Sequence, residues 1–245
     1  MMIPGFLQAT LNLLAAVILG LSLSVKADSR TVLKISASDA HVDSTPYKEI
    51  MRFIKNALAR DNIEVIYTSL PIERGSFLAD KGDMDGELAR IKLSSDGYSN
   101  LVETSFPFIL VRYILVHRQN EVIDKKNISS LQGVLPLNVK GIEDFIAQNK
   151  LRTIGVNTLD AALDMLLHKR CDYVIMSDAV FSEYKKTNKR FISLEQVKDF
   201  SVTVPLYFRL NKKHKNLIPI VETAIKRERS LHGSDYPMFE GYYGF

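Results

Sequence analysis

Residues 63–90, IEVIYTSLPIERGSFLADKGDMDGELAR, decide the fold class. The β-rich run at 63–69 reads as a strand. Pro71, with its fixed φ, opens a helix, and Gly82 ends that helix in the left-handed conformation that residues bearing a Cβ avoid. Asp85 starts a second strand, which finishes at Arg90. Strand, helix and strand in succession form a βαβ unit, the element of a largely parallel sheet with helices on its faces.

The same alternation continues on both sides. Three segments carry apolar residues at helical spacing: Ile50, Phe53, Ile54, Ala57 and Leu58; Leu159, Ala162, Leu163, Leu166 and Leu167; and Leu217, Ile220, Val221, Ala224 and Ile225. Each buries one face. Asn157 and Asp160 are placed to cap the second helix. Further β-rich runs lie at 32–38, 108–116, 134–139, 152–156, 173–177 and 202–208. The alternation occurs twice, at about 32–106 and 134–184, so two α/β lobes fit better than one very wide sheet.

The 245 residues, 46% hydrophobic and 24% charged, are an ordinary globular composition. The first 27 residues differ: an uncharged run at 11–25 ends in Val25-Lys26-Ala27, a small-x-small cleavage pattern, so 1–27 read as a signal peptide. The alternative is a retained N-terminal anchor. The apolar part is short of the roughly 20 residues that span a bilayer. Cys171 is the one cysteine, which excludes an intramolecular disulfide and a lipoprotein anchor near the cleavage site. The formal charge of +4 falls to +3 without Lys26. The basic clusters at 185–190 and 209–215 lack interleaved aromatics, so they read as solvated faces and nucleic-acid binding is excluded. A soluble periplasmic protein is expected.

In order and spacing, IEVIYTSLPIERGSFLADKGDMDGELARI, NLVETSFPFILVRYILVH, LQGVLPLNVKG and ALDMLLHKRCDYVIMSDAVFSEY resemble the periplasmic solute-binding proteins of amino-acid ABC transporters, extracellular family 3. The resemblance runs from about 32 to 225. It implies the two-lobe type II periplasmic-binding fold, each lobe a mainly parallel sheet flanked by helices, with strands near 108–116 and 200–208 crossing between the lobes. Lobe 1 would be 28–110 plus 205–245 and lobe 2 would be 111–204. It also implies a small-molecule ligand held in the interlobe cleft, no cofactor, a membrane permease as partner, and a monomer.

Candidate ligand contacts follow from that frame. Arg90 ends a strand, where α/β sheets bind ligands. Arg74 in the first helical turns would reinforce an anion site beside the helix amides, or else pair at the surface with Glu73 or Asp80. Asp178, directly after the apolar strand, would meet a ligand ammonium or cap the next helix. Lys140 and Gly141 match the segment that faces a ligand carboxylate, and Tyr47 is a ring-bearing residue of an altered segment after the first strand. Asp83 and Asp85 read as turn and capping chemistry. The arginine that α-amino-acid binders place before the SFPF stretch is absent: the corresponding position is about Asn100. The ligand class therefore stays open between amino-acid-like and anionic.

Enzyme motifs are missing, with no G-x-S-x-G, no H-E-x-x-H and no phosphate-binding loop. His41 and Asp43 could ligate a divalent ion but read as solvent-exposed. A periplasmic sensor of the same fold, signalling to a membrane receptor, is the alternative to transport. A dehydratase-like enzyme, with Glu87 or His41 as acid or base, is a third reading.

Overall fold

The computed structural model describes residues 30–39, 43–92, 97–137 and 139–236. Residues 1–27, read above as a signal peptide, and His41 lie outside them. The elements are β1 (Thr31–Ser38), α1 (Thr45–Ala59), β2 (Ile63–Leu70), α2 (Ile72–Lys81), β3 (Gly86–Arg90), β4 (Leu101–Glu103), β5 (Ile109–Arg118), β6 (Gln132–Pro136), α3 (Glu143–Gln148), β7 (Arg152–Val156), α4 (Leu159–Leu167), β8 (Tyr173–Ser177), α5 (Asp178–Thr187), β9 (Leu194–Asn211) and α6 (Ile218–His232). Among the described residues no helix is long and apolar enough to cross a membrane.

The strands form one hydrogen-bonded path, β2-β1-β3-β9-β5-β8-β6-β7, with β4 also on β9. Pairing is parallel between β1 and β3 and between β6 and both β7 and β8. β5 and β9 run antiparallel to their neighbours. Two sheets become one path because β9 is 18 residues long. Its first part pairs with β5 and its last part with β3 and β4. The 202–208 run is only the second half of this strand. Its first half hides because Leu194, Val197 and Phe200 are buried at a spacing of three, not two. Asp199 has a φ of 63°, and the register with β5 shifts between Ile114 and Val116. A bulge accounts for both observations.

Two large sets of apolar side chains fill most of the interior, beside a small one of Ala79, Met84 and Leu101. One joins β1, β2 and β3 to α1 and α6, with Phe53, Phe108 and Phe208 at its centre. The other lies on both faces of β5 and β8: Ile114, Val116, Val174 and Met176 pack on one side, Leu115, Tyr173 and Ile175 on the other. This is the strand alternation that buries both faces of a covered sheet. Helix α4 is capped by the Thr158 hydroxyl, which accepts from Ala161 N, not by Asn157 or Asp160.

The Gly-Asp-x-Asp-Gly turn is structural. Gly82, at φ 86°, ends α2 as the sequence requires. Asp85 accepts from Lys34 N at 2.8 Å, while His214 Nε2 and Lys213 Nζ lie 2.7 and 2.8 Å from its Oδ1. Burial pushes this carboxyl up, but the contacts with Lys213, Lys34 N and His214 outweigh it and hold it below its ordinary value. Gly86 starts β3 where a Cβ would lie 2.1 Å from the Arg209 carbonyl oxygen. Gly86→Ala is therefore expected to separate β3 from β9 and to destabilise the protein by about 1–3 kcal/mol or more, measured by denaturant unfolding. Unchanged stability would contradict the close pairing of these strands.

Candidate functional site

A cleft of about 960 Å³ opens between the β1/β3/α1 side and the β6/β8/α5 side of the protein. Its floor is built by a backbone irregularity. Along a regular strand, Glu87 and Arg90, three residues apart, would point to opposite faces. Ala89 takes a left-handed φ of 54°, and the pairing of β3 with β9 shifts between Glu87 and Arg90. Arg90 is thereby turned onto the side of Glu87, where its Nε donates to Glu87 Oε1 at 3.0 Å. A left-handed alanine costs about 1–2 kcal/mol, and such strain clusters where a site needs it.

Glu87 is fully buried and accepts from three donors: Ser76 Oγ on α2, Arg90 Nε, and Arg209 Nη1 on β9 at 3.3 Å. Arg90 Nη1 donates to Leu88 O at 2.9 Å, and Arg209 Nη2 donates to Ile91 O. The Arg209 Nε lies 3.7 Å from Glu103 Oε2. Arg90 and Arg209 are 6% and 2% exposed, and both line the cleft. Arg209 thus corrects the reading of 209–215 as a solvated face. An arginine inside the apolar run VTVPLYFRL was the available signal. Gly75 lets the group assemble, since a Cβ there would sit 2.8 Å from Ser36 Oγ and 3.5 Å from Arg90 Nη2.

Among the described residues, Arg90 Nη2, Ser38 Oγ and Arg209 Nε are buried with no hydrogen-bond partner. Ser38, 1% exposed at the end of β1, also lines the cleft. Ser38 N donates to the Tyr47 hydroxyl at 2.9 Å. Burial pushes that hydroxyl above its ordinary value, with the Arg90 charge working against it. Two more cleft tyrosines are raised to about 12, Tyr113 by burial and Tyr184 by burial and its bond to Asp160. These phenols stay protonated at neutral pH.

Of the residues singled out in the sequence, Tyr47, Arg90 and Lys140 line one cleft. Gly141 has a φ of 80°, and a Cβ there would press to 3.0 Å against Ile91 and Val204, so the position requires glycine. Arg74 is exposed on α2 and is not part of the lining; Glu73 and Ser76 of the same helix are. Asp80 bonds to Asn100 N instead. Asp178 is also outside the lining. Its Oδ2 accepts from Arg112 Nε on β5 at 2.7 Å, and the cap of α5 is Ser177, whose hydroxyl accepts from Val180 N. The cleft residue at this strand end is Ser177. Across the mouth, Glu183 of α5 accepts from Thr45 N at 3.3 Å and from the Thr45 hydroxyl, placing a carboxylate at the N-terminus of α1. Among the described residues no group of three or more His, Cys, Asp or Glu side chains is arranged for a metal ion.

No protein-family model matches the chain, and no curated protein matches it. Solved structures do. An ancestral arginine-binding protein bound to arginine is 14% identical with a TM-score of 0.66, covering 88% of this chain and 99% of its own. The Bordetella pertussis BvgS VFT2 domain, a double mutant, is 14% identical at a TM-score of 0.67, with 88% and 94% covered. The L-cystine solute receptor of Neisseria gonorrhoeae in the unliganded open conformation is 15% identical at 0.59, with 89% and 94% covered. The chain therefore has the two-lobe type II periplasmic-binding fold.

If the left-handed residue aims Arg90, Ala89→Gly should fold at least as well as the unmodified protein, because glycine adopts this φ freely. Ala89→Val should lose about 1–3 kcal/mol, because a β-branched residue there is strained. Chemical denaturation of both variants checks this, and equal stability of the two would contradict the assigned geometry.

Proposed function

We propose that this protein is a solute-binding protein, a divergent member of extracellular family 3. It takes a small polar ligand, amino-acid-like or anionic, into the cleft and closes over it. One observation carries the reading: a buried arginine, Arg90, on the cleft wall with an unpartnered Nη2. A buried donor without an acceptor costs about 1–3 kcal/mol. A ligand that supplies the acceptor recovers that free energy, and charge-assisted bonds in a closed cleft add to it.

On this reading, lobe 1 is 28–110 with 205–245 and lobe 2 is 111–204. The division is supported by the packing: one core draws on residues up to Ile109 and from Phe208 onward, the other on Ile114 through Val204. The hinge would lie where β5 and β9 pair from Ile109↔Leu206 to Val111↔Val204. Of the site residues, Arg90 is the anion holder and Tyr47 and Lys140 are flanking contacts, whereas Gly141 is outside the lining and lets the chain pack against Ile91 and Val204. Arg74 is relegated to solvent, and Asp178 to an ion pair with Arg112 that braces α5 against β5. Export through cleavage after Ala27 would place the protein in the periplasm as a soluble monomer.

Delivery to an ABC-type permease is the proposed role. Similarity to the BvgS VFT2 domain supports a second reading, in which occupancy is reported to a membrane receptor without transport. Binding without turnover and without a cofactor is proposed in either case. Glu87, the acid considered for dehydratase-like chemistry, has both oxygens engaged.

Arg90→Ala would leave the buried Glu87 short of a counter-charge, so it is expected to cost about 3–5 kcal/mol of stability as well as binding. Arg90→Lys keeps the charge and loses the fork, and is the cleaner test. In a thermal-shift screen of amino acids, organic acids, polyamines and sugars, the best ligand should bind Arg90→Lys at least about tenfold more weakly and Arg74→Ala unchanged. Small-angle scattering should show a smaller radius of gyration at saturation. Unaltered binding by Arg90→Lys together with an unchanged radius would contradict the proposal.

A further inference from the structure

We infer that the ligand is an organic anion recognised through its negative group alone: a carboxylic acid with an apolar or aromatic body and no ammonium beside the carboxylate. The inference rests on the solute-binding reading above and narrows its ligand class. Its basis is an asymmetry in the cleft. Among the described residues the cleft-lining polar atoms buried without a partner are Arg90 Nη2, which can only donate, and Ser38 Oγ. They call for an acceptor.

An α-ammonium sits one carbon away from the carboxylate and would be buried at the same depth, where among the described residues no carboxylate oxygen is free to accept from it. Both oxygens of Glu87 are engaged by Ser76, Arg90 and Arg209. The carbonyls of Leu88 and Ile91 accept from Arg90 and Arg209. Asp178, on the opposite side, is paired with Arg112 and does not line the cleft. Among the described residues the acids that do line it stand at the rim, none of them buried: Asp39, Asp43, Glu73, Asp160 and Glu183. Asp160 accepts from the Tyr184 hydroxyl and Glu183 from Thr45. The walls are tyrosines and aliphatic side chains, including Tyr47, Tyr113, Ile50, Ile109 and Met176. They suit an apolar body, because burial of apolar surface is favourable while an unpaired buried cation is not.

The test uses matched pairs on the full mature chain: 3-phenylpropanoate against phenylalanine, and 4-methylpentanoate against leucine, by calorimetric titration with inorganic phosphate as a third arm. Each acid should bind at least about tenfold tighter than its amino acid, since the ammonium loses water and gains no partner. Phosphate should bind more weakly than either acid. Ser38→Ala separates a ligand contact from a structural role: removing a buried, unpartnered hydroxyl should raise the melting temperature of the empty protein and weaken the acids severalfold. Amino acids binding as tightly as the acids would overturn the inference and leave the solute-binding reading standing. Phosphate binding as tightly as the acids would overturn the apolar body. Failure of every arm would also overturn the inference. The solute-binding reading would fall with it only if the wider screen found no ligand and no change of radius.

Discussion

The structure depends on one buried carboxylate held between two buried guanidiniums. Glu87 is inaccessible to solvent, and Arg90 and Arg209 are nearly so. A lone charge at such a depth would be strongly unfavourable, and a hydrogen-bonded group of charges is tolerated only if its members are well satisfied. The group ties together three elements that are distant in sequence, since Ser76 comes from α2, Glu87 and Arg90 from β3, and Arg209 from β9. Among the described residues satisfaction stops at Arg90 Nη2, on a cleft-lining residue, whereas Arg209 Nε keeps the Glu103 carboxylate as its ion-pair partner. The ion cluster thus ties these elements together and leaves Arg90 Nη2 unused at the cleft.

The proposed closure would turn on the same strand. Because β9 runs through both halves of the sheet, its middle and the start of β5 are the main covalent route between the two cores. Bending there would change the cleft without breaking either core, the arrangement that hinge closure needs. Among the described residues a polar contact crosses the mouth. Glu183 reaches from α5 to the first residue of α1, an exposed carboxylate-to-helix contact of modest strength. The proposed closure would then depend on what the ligand contributes.

Most of the fold was legible in the sequence because local rules decide it. Pro71, Gly82 and the apolar stripes of α1, α4 and α6 set the helices, and the runs 152–156 and 173–177 are strands over those same residues. Where the reading fell short, a local rule was broken by a distant partner. The first half of β9 was hidden by the Asp199 bulge. Arg209 looked like the edge of a basic cluster because nothing in its neighbourhood announces Glu87. Arg74 and Arg90 were indistinguishable by type, and only the left-handed Ala89 directs Arg90 inward while Arg74 stays on the outer side of α2. Asp178 and Ser177 are adjacent, and helix geometry gives the cap and the cleft position to the serine.

The central claim is that Arg90 receives the ligand's negative group, and arginine-selective nitrogen-15 NMR of the guanidinium groups reads it directly. With the Arg90 signal assigned from its absence in Arg90→Lys, saturation with 3-phenylpropanoate should shift the Arg90 signal and slow rotation about its Cζ–Nη bonds. The Arg74 signal should stay where it is. An Arg90 signal that does not respond while ligand is bound, or one that moves no more than that of the exposed Arg74, would contradict the account.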